Sequence, residues 1–417
     1  MKHVIAGTGI AGTMAAEAIR KLDPDASITL IGDEPFLPYC RPMISMLLEG
    51  SILPGRMAIR EVDDFRSLDI ELLSGERVSL IHTREKSLET ITGKTIPFDR
   101  LLIATGANPV DIKADGSHLA NILSMRNRGH VEAMLEALPE VHNTLIIGGG
   151  LVGLKAAHAL IGRGVKVTMV EKLAHPLPMV ADRKSGSAIA QRLEAMGIAL
   201  KMGATVTAFE GNGRVREALL DDGSRAPCDL VVVAVGSRPA VPSIEEGRIR
   251  VGQGILVDDF LETDEKGIYA AGDVAEAFDV VFGLKKVNGI WPVAAEQGVV
   301  AGMNMAGGNV PYQGGMGRNV VRVGDLDMLS GGLVNPPPDG PYEVLEDEDR
   351  RRKTYRKLVF EGDVLKGLVM LNRVEKGGIL LALMKRQMPI TLSKEMLFDP
   401  RFDFSMLLPG MQRALTG

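Results

Sequence analysis

The apolar residues of this chain form the same pattern twice, once at the N-terminus and once near the middle. Residues 3–6 are a short apolar run that predicts a buried strand, and residues 10–21 carry apolar side chains at helical spacing. Residues 144–147 and 151–162 repeat this order of strand and helix. In both copies three residues separate the strand from the helix, so the pattern predicts two tight strand-to-helix turns.

Glycines occupy the same places in both turns. They are Gly7, Gly9 and Gly12 in the first turn and Gly148, Gly150 and Gly153 in the second. In a dinucleotide-binding fold the first glycine makes the turn, the second lets the backbone approach a pyrophosphate, and the third lets the helix pack on the strand. The first helical residues, whose N–H groups would bind the anion, are Ile10 and Ala11 in one copy and Leu151 and Val152 in the other. The repeat therefore predicts two dinucleotide sites.

Carboxylates stand at the end of the second strand of each unit. The segment "ASITLIGDEP" carries Asp33 and Glu34 near its end, and "GVKVTMVEK" reaches Glu171. Such carboxylates accept the ribose hydroxyls of a dinucleotide, and Glu171 would repel a 2′-phosphate, which favours NAD(H) over NADP(H). The neighbouring Lys172 weakens that preference. Two complete units suggest a prosthetic dinucleotide and a substrate dinucleotide, as in a flavoprotein that exchanges electrons with a nicotinamide.

Composition narrows the classes of function. A chain of 417 residues is long for one core, so we expect two or three domains. The net charge of −5 argues against nucleic acid as a partner, and no apolar run approaches the ~20 residues that cross a membrane. The N-terminus lacks the layout of a signal peptide, so we expect a cytoplasmic protein. Cys40 and Cys228 are too few for a zinc or iron–sulfur site, so we expect no metal.

Three later strands end in residues that carry a family resemblance. These residues are Ala104, Thr105 and Gly106 in "LLIATGANP", Gly236 in "LVVVAVGSRP", and Gly272 and Asp273 in "GIYAAGDVAE". With them the sequence resembles the pyridine nucleotide–disulfide oxidoreductases over residues 1 to about 310. The resemblance implies that the first of these strands lines an FAD site and that Asp273 lies on the ribityl chain. It also implies that the second glycine turn holds NAD(P)H.

Residues 32–50 resemble the family members without an active disulfide, namely rubredoxin reductases, ferredoxin reductases and the flavin portion of NADH-dependent nitrite reductases. This resemblance implies that Arg41 and Pro42 lie by the flavin edge. Cys40 stands where tyrosine or aspartate is usual, and Lys155 stands where relatives carry glutamate. Lys155 is either a second cation at the flavin edge or an ordinary exposed lysine. Cys40 lies two residues earlier than the sulfenate cysteine of some relatives, so we expect it to pack rather than react.

The later part of the chain leaves further alternatives open. Trp291 precedes Pro292 at the start of a helix that points at the flavin in relatives, so it either contacts the site or packs in the core. The basic run Arg350–Lys353 is either solvated or part of a docking surface. Residues 355–371 predict a hairpin and resemble the small C-terminal domain that packs over the flavin or at a dimer interface in these relatives.

We therefore predict an α/β fold with two Rossmann-like dinucleotide-binding domains, one for FAD and one for NAD, and a small α+β C-terminal domain. Residues 1–112 and 245–315 would form the FAD domain, residues 113–244 the NAD(P)H domain and residues 316–417 the C-terminal domain.

The predicted chemistry is hydride transfer between nicotinamide and flavin, which requires no acid or base side chain. The electrons would pass to or from an electron-transfer protein or a metalloenzyme subunit, in a homo- or hetero-oligomer. One alternative is a stand-alone NADH oxidase that uses oxygen. Another is a non-catalytic FAD-binding subunit, which two intact turns disfavour.

Overall fold

The computed structural model describes residues 1–245 and 249–407. Residues 246–248 of the predicted FAD domain and 408–417 of the predicted C-terminal domain lie outside the described residues. The α-helices of the described part are α1 (Ile10–Leu22), α2 (Ile44–Glu49), α3 (Val62–Ser67), α4 (Arg128–Ala137), α5 (Leu151–Gly162), α6 (Arg183–Ala195), α7 (Trp291–Met305) and α8 (Gly377–Lys385). Within these ranges no helix is both long and apolar enough to cross a bilayer.

Two parallel five-stranded sheets hold the two glycine turns. The first sheet has the order β20 (Ile268–Ala270), β7 (Arg100–Ile103), β1 (Lys2–Ala6), β2 (Ser27–Gly32) and β3 (Ile70–Ser74). The second has the order β12 (Ala199–Met202), β11 (Lys166–Glu171), β10 (Asn143–Ile147), β16 (Leu230–Val233) and β9 (Ile122–Ser124). In both sheets the strand before the glycine turn is central, and the helix that follows packs its small residues against the sheet.

Smaller sheets surround these two. They are β13 (Val206–Asn212), β14 (Arg214–Leu220) and β15 (Arg225–Pro227); β18 (Ser243–Ile244), β4 (Val78–His82), β5 (Ser87–Thr90) and β6 (Thr95–Pro97); and β19 (Ile255–Leu256), β21 (Ala275–Asp279) and β22 (Leu284–Lys286). The two segments that cross between the parallel sheets pair with each other as β8 (Ala107–Pro109) and β17 (Ser237–Pro239), antiparallel. A paired double crossing restricts how the two parallel sheets can turn relative to each other.

The C-terminal residues form an antiparallel sheet of five strands. Its order is β23 (Arg318–Val323), β24 (Leu326–Gly332), β27 (Val364–Leu371), β26 (Thr354–Glu361) and β25 (Tyr342–Asp349). Strands β26 and β27 form the predicted hairpin around Gly362, which adopts a φ of 56°. Against the second parallel sheet, the hydroxyl of Tyr355 donates to Asp182 at the N-cap of α6 (2.6 Å). The sheet is therefore fixed to the nucleotide-binding part by a buried hydrogen bond as well as by apolar packing.

Helix α7 crosses α1 at very short range. A side chain at Gly298 would lie 2.2 Å from the carbonyl oxygen of Ala11, and one at Gly302 would lie 2.4 Å from that of Ala15. Only glycine permits this approach, and it fixes the position of Trp291, the first residue of α7. The tight crossing therefore places the start of α7 beside the first glycine turn.

Helix α2, which follows β2 in the chain, does not pack in the core of the first domain. The buried residues Ile44, Leu47 and Leu48 of α2 pack in the apolar cluster formed with α4, α5 and the C-terminal sheet. Arg163 at the end of α5 donates to the carbonyl of Leu48 (2.9 Å). These residues fall within the range 1–112 predicted for the FAD domain, and their apolar contacts are with the other parts of the molecule. The segment therefore connects the predicted domains.

His3 gives the first sheet an acid-sensitive core. The imidazole is 1% exposed, neither ring nitrogen has a hydrogen-bond partner, and burial lowers the pKa of His3 to about 4. The unfolded chain binds the proton near pH 6.5, so between these values it holds more protons and the folded state loses stability as the pH falls. As the pH falls through this range, the free energy of unfolding should decrease by up to about 3 kcal/mol less in His3→Leu than in the wild type. Urea unfolding of both proteins at pH 6.5 and near pH 4 checks this, and a wild-type-minus-variant difference that does not change with pH would contradict it.

Candidate functional site

The two glycine turns have the same geometry. Gly7 and Gly148, the first glycine of each turn, adopt φ values of 125° and 105°, which other residues rarely reach. A side chain at Gly12 would lie 1.9 Å from the oxygen of Gly7, and one at Gly153 would lie 2.0 Å from the oxygen of Gly148. The first and third glycines are therefore required by the backbone itself, as the sequence predicts.

The second glycine of each turn faces open space. A side chain built at Gly9 or at Gly150 meets no atom within 4 Å. No side chain caps the helix that begins next to either glycine, so the N–H groups of the first turn are available to a ligand. A side chain at these positions would fill the place that a pyrophosphate occupies in a dinucleotide fold. Both turns therefore fit a dinucleotide.

One cavity of about 580 Å³ extends from the first glycine turn to the start of α5, the helix that follows the second turn. Most predicted site residues line it: Gly7, Gly9, Ile10, Ala11, Asp33, Glu34, Arg41, Pro42, Ala104, Thr105, Gly106, Leu151, Val152, Lys155, Gly272, Asp273 and Trp291. Gly12, Gly148, Gly150, Gly153, Glu171 and Gly236 are not among its lining residues. The cavity thus contains the first nucleotide site and reaches the beginning of α5, while the rest of the second turn lies outside it.

The adjacent carboxylates after β2 have different surroundings. Asp33 is exposed at the cavity wall and makes no hydrogen bond or ion pair with described residues. Glu34 binds within the protein, since one oxygen accepts from the Tyr39 hydroxyl (2.7 Å) and the other pairs with Arg41 (2.6 Å). The sequence predicted both as ribose acceptors, and Asp33 is the carboxylate that remains available.

Arg41 lines the cavity as part of an ion pair with Glu34. Its predicted place by the flavin edge stays a prediction. Lys155 is exposed on α5, lines the same cavity, and forms no hydrogen bond or ion pair in the described part of the chain.

A loop missed by the sequence reading reaches into the cavity. Arg126, between β9 and α4, pairs with Asp273 (2.7 Å) and donates to the carbonyl of Ala107 (2.9 Å). The pairing joins residues 147 positions apart, so no local pattern could reveal it. Gln297 of α7, for which the sequence left open an exposed position or a flavin contact, is buried, and its side-chain oxygen accepts from the N–H of Gly272 (2.7 Å).

The C-terminal sheet contributes the opposite wall. Arg318, Asn319 and Val320 of β23 line the cavity together with the half-buried Trp291. Val320 is 75% exposed although it is apolar. The basic run Arg350–Lys353, for which solvation and docking were both left open, forms the turn between β25 and β26. Two strands, β27 and β24, lie between β26 and the cavity-lining edge strand β23. That run is not part of the cavity wall.

Neither cysteine is placed for redox work. Cys40 is half-buried and does not line the cavity, and burial raises the pKa of its thiol despite the nearby Met43 N–H and Lys155 cation. Cys228 is buried in an apolar cluster beside β16, and burial raises its pKa to about 12. Both side chains are therefore held as thiols, which are poor nucleophiles.

Glu171 holds the second turn together. Its two oxygens accept from the N–H groups of Gly149 (2.6 Å) and Leu173 (2.8 Å), and the residue is 8% exposed. Its negative charge is thereby fixed at the end of β11, where a dinucleotide ribose would lie. Gly236, which lies between β16 and β17, adopts a φ of 111° and faces open space.

Comparisons with known proteins agree with this geometry. The model of the pyridine nucleotide-disulphide oxidoreductase family matches residues 1–298. An NAD(P)H nitrite reductase of Bacillus subtilis is 28% identical over 93% of this chain, and the chain spans about half (48%) of that relative. Subunit epsilon of the NADH-dependent phenylglyoxylate dehydrogenase of Aromatoleum evansii is 29% identical, with 94% of this chain and 93% of the relative covered. A crystal structure of a ferredoxin reductase from Rhodopseudomonas palustris superposes with a TM-score of 0.86 at 27% identity, covering 96% of this chain and 98% of that one.

The fixed charge of Glu171 sets a coenzyme preference. We expect NADH to reduce the protein-bound FAD faster than NADPH, because a carboxylate held at the end of β11 repels a 2′-phosphate. Anaerobic stopped-flow reduction with each coenzyme measures this. Faster reduction by NADPH would reverse the assignment and point to Lys172.

The thiol of Cys40 is expected to be dispensable. Cys40→Ser should leave the rate of NADH-dependent reduction within a few-fold of wild type, since the side chain lies outside the cavity wall. The same stopped-flow measurement, with Cys228→Ser as the matched control, provides the check. If Cys40→Ser retained reduction but lost turnover with an acceptor, the thiol would be an intermediate on the acceptor side.

Proposed function

The chain belongs to the pyridine nucleotide-disulphide oxidoreductase family, and from that premise we propose that it is an FAD-dependent oxidoreductase that moves electrons between NAD(H) and a redox-protein partner. The two-domain α/β architecture with parallel Rossmann-like sheets is that of related ferredoxin reductases. We include a cytoplasmic location in the proposal, because both cysteines are free thiols.

The observation that carries the proposal is the cavity that runs from the first glycine turn to the start of α5, next to the second turn. Its walls include Gly9 at the start of α1 and Leu151 and Val152 at the start of α5. FAD on the first turn and a nicotinamide dinucleotide on the second would therefore meet in this cavity. Holding two reactants in such an arrangement is the main contribution a protein makes to hydride transfer.

The side chains of the cavity bind and orient rather than react. Asp33 is the available acceptor for the ribose of FAD, and the Arg126–Asp273 pair lies where the ribityl chain and pyrophosphate would run. FAD itself supplies the redox chemistry, since a flavin accepts two electrons as a hydride and can release them one at a time. Because neither thiol lies on the cavity wall, the electrons need no disulfide to leave the chain.

A partner protein follows from the relatives and from the cavity mouth. Two relatives are named as a subunit of a dehydrogenase and as a ferredoxin reductase. We propose a similar place for this chain, as the NAD-linked component of a redox system, in either direction of electron flow. At the mouth, Lys155 and Arg318 form no ion pair with described residues, and Val152 (43%) and Val320 (75%) are exposed. An apolar surface with unpaired cations suits an acidic partner.

The rate of reoxidation by oxygen distinguishes a reductase with a protein partner from a stand-alone NADH oxidase. The NADH-reduced protein should be reoxidised rapidly by ferricyanide or a ferredoxin and slowly by air, because its proposed electron acceptor is a protein that docks at the cavity mouth. Stopped-flow reoxidation measures the rates directly. Reoxidation by air as fast as reduction by NADH would assign the chain to the oxidases.

Charge reversal tests the docking face. Arg318→Glu should lower kcat/KM for an acidic 2Fe–2S ferredoxin by about tenfold at low salt, with the difference shrinking as salt rises. Arg351→Glu is the matched control, since Arg351 is exposed on the distant β25–β26 turn. Equal effects of the two charge reversals would mean that only the net charge of the protein matters. A loss confined to Arg351→Glu would mean that the partner docks at the β25–β26 turn instead.

A further inference from the structure

Residues 125–128 form a strap that leaves the nicotinamide part of the molecule and covers the FAD cavity. Strand β9 ends at Ser124 in the second parallel sheet, and α4 begins at Arg128 with Asn127 as its N-cap. Between them Met125, Arg126 and Asn127 line the cavity. The strap is thus anchored at both ends in one domain while its middle faces the ligand site of the other.

The strap is tied to the FAD domain by both side chain and backbone. The Arg126 side chain reaches Asp273 and the carbonyl of Ala107, as described above. Its backbone is held as well, because Arg41 donates to the carbonyl of Arg126 (3.2 Å) and the N–H of Arg128 donates to the Tyr39 hydroxyl (2.9 Å). Backbone ties of this kind fix where the Arg126 side chain can point.

Glu34 connects the two side chains that hold the strap's backbone. Tyr39 donates its hydroxyl proton to one carboxylate oxygen, and Arg41 binds the other. The same hydroxyl oxygen accepts from Arg128. One carboxylate therefore orients both contacts to the strap.

We propose that Glu34 and Tyr39 are positioning residues that hold the 125–128 strap, and through it Arg126, over bound FAD. Their role is to slow the release of FAD and not to bind its ribose. This inference rests on the FAD site of the proposed function and assigns Glu34 differently from Asp33.

Burial keeps the hydroxyl of Tyr39 protonated, so that it can donate to Glu34. Tyr39 is 8% exposed, and burial raises the pKa of its phenol well above the ordinary value, so it stays protonated at any pH near neutrality. Its removal would leave the Arg128 N–H without this acceptor and Glu34 without one donor. An unmade buried hydrogen bond costs more than the bond itself contributes, so the strap should open more often in its absence.

The test is the rate of FAD release from the holoprotein. Tyr39→Phe should release FAD about tenfold faster than wild type, followed as the rise of flavin fluorescence after dilution, at a temperature where circular dichroism shows both proteins folded. Tyr355→Phe is the matched control, because Tyr355 is also buried and its hydroxyl also has two hydrogen-bond partners, the carboxylates of Asp182 and Glu346, away from the cavity. A merely structural role for Tyr39 would lower the thermal midpoint as Tyr355→Phe does and leave FAD release unchanged.

Glu34→Gln provides the second variant. It keeps the size of the side chain, removes the ion pair with Arg41, and should also accelerate release. Combined with Tyr39→Phe it should add little, since both act through one set of contacts. If Tyr39→Phe did not fold, Glu34→Gln would decide the question alone.

Each outcome bears on a different claim. A wild-type release rate in Tyr39→Phe or in a folded Glu34→Gln overturns this inference and leaves the proposed function intact. Equal acceleration by Tyr355→Phe overturns it as well, because the effect would then be general loosening. A protein that binds no FAD would overturn both the inference and the proposed function.

Discussion

Two helix N-termini that face one cavity are the constraint on which the rest of this structure depends. The N–H groups at the start of α1 and α5 have no capping side chain, and the second glycine beside each of them leaves open space. A dinucleotide can satisfy such groups only if the two parallel sheets keep their positions. The paired crossing of β8 and β17 and the packing of α2 on α5 connect the two parts, and the glycine contacts between α7 and α1 hold the start of α7 beside the first turn.

Sequence could predict the local parts of this arrangement. The glycine spacing, the strand and helix at each turn, and the hairpin around Gly362 depend on neighbouring residues, and the structure contains them as predicted. The family, the fold class and the cofactor class were also predicted correctly from motifs, as the match over residues 1–298 and the solved relative show. Such features follow from short-range backbone requirements, which a sequence displays directly.

Side-chain contacts between residues that are not immediate neighbours could not be predicted from the sequence. Glu34 looked like Asp33, yet Tyr39 and Arg41 fold back on it after β2 and occupy both its oxygens. Arg126 showed no signal because its partner is 147 residues away. The basic run Arg350–Lys353 looked suited to docking, but strand order places it away from the cavity wall. Charge on the printed sequence therefore says little about which cations stay unpaired.

The central claim is that one cavity brings FAD and a nicotinamide together without a reactive thiol. Acid extraction of the purified protein followed by anaerobic titration with NADH tests it most directly. The account predicts a yellow protein that releases FAD, and bleaching by one equivalent of NADH in both the wild type and a variant in which Cys40 and Cys228 are serine. Release of FMN, a colourless protein that cannot be reconstituted, or uptake of a second equivalent that disappears with the cysteines would contradict it.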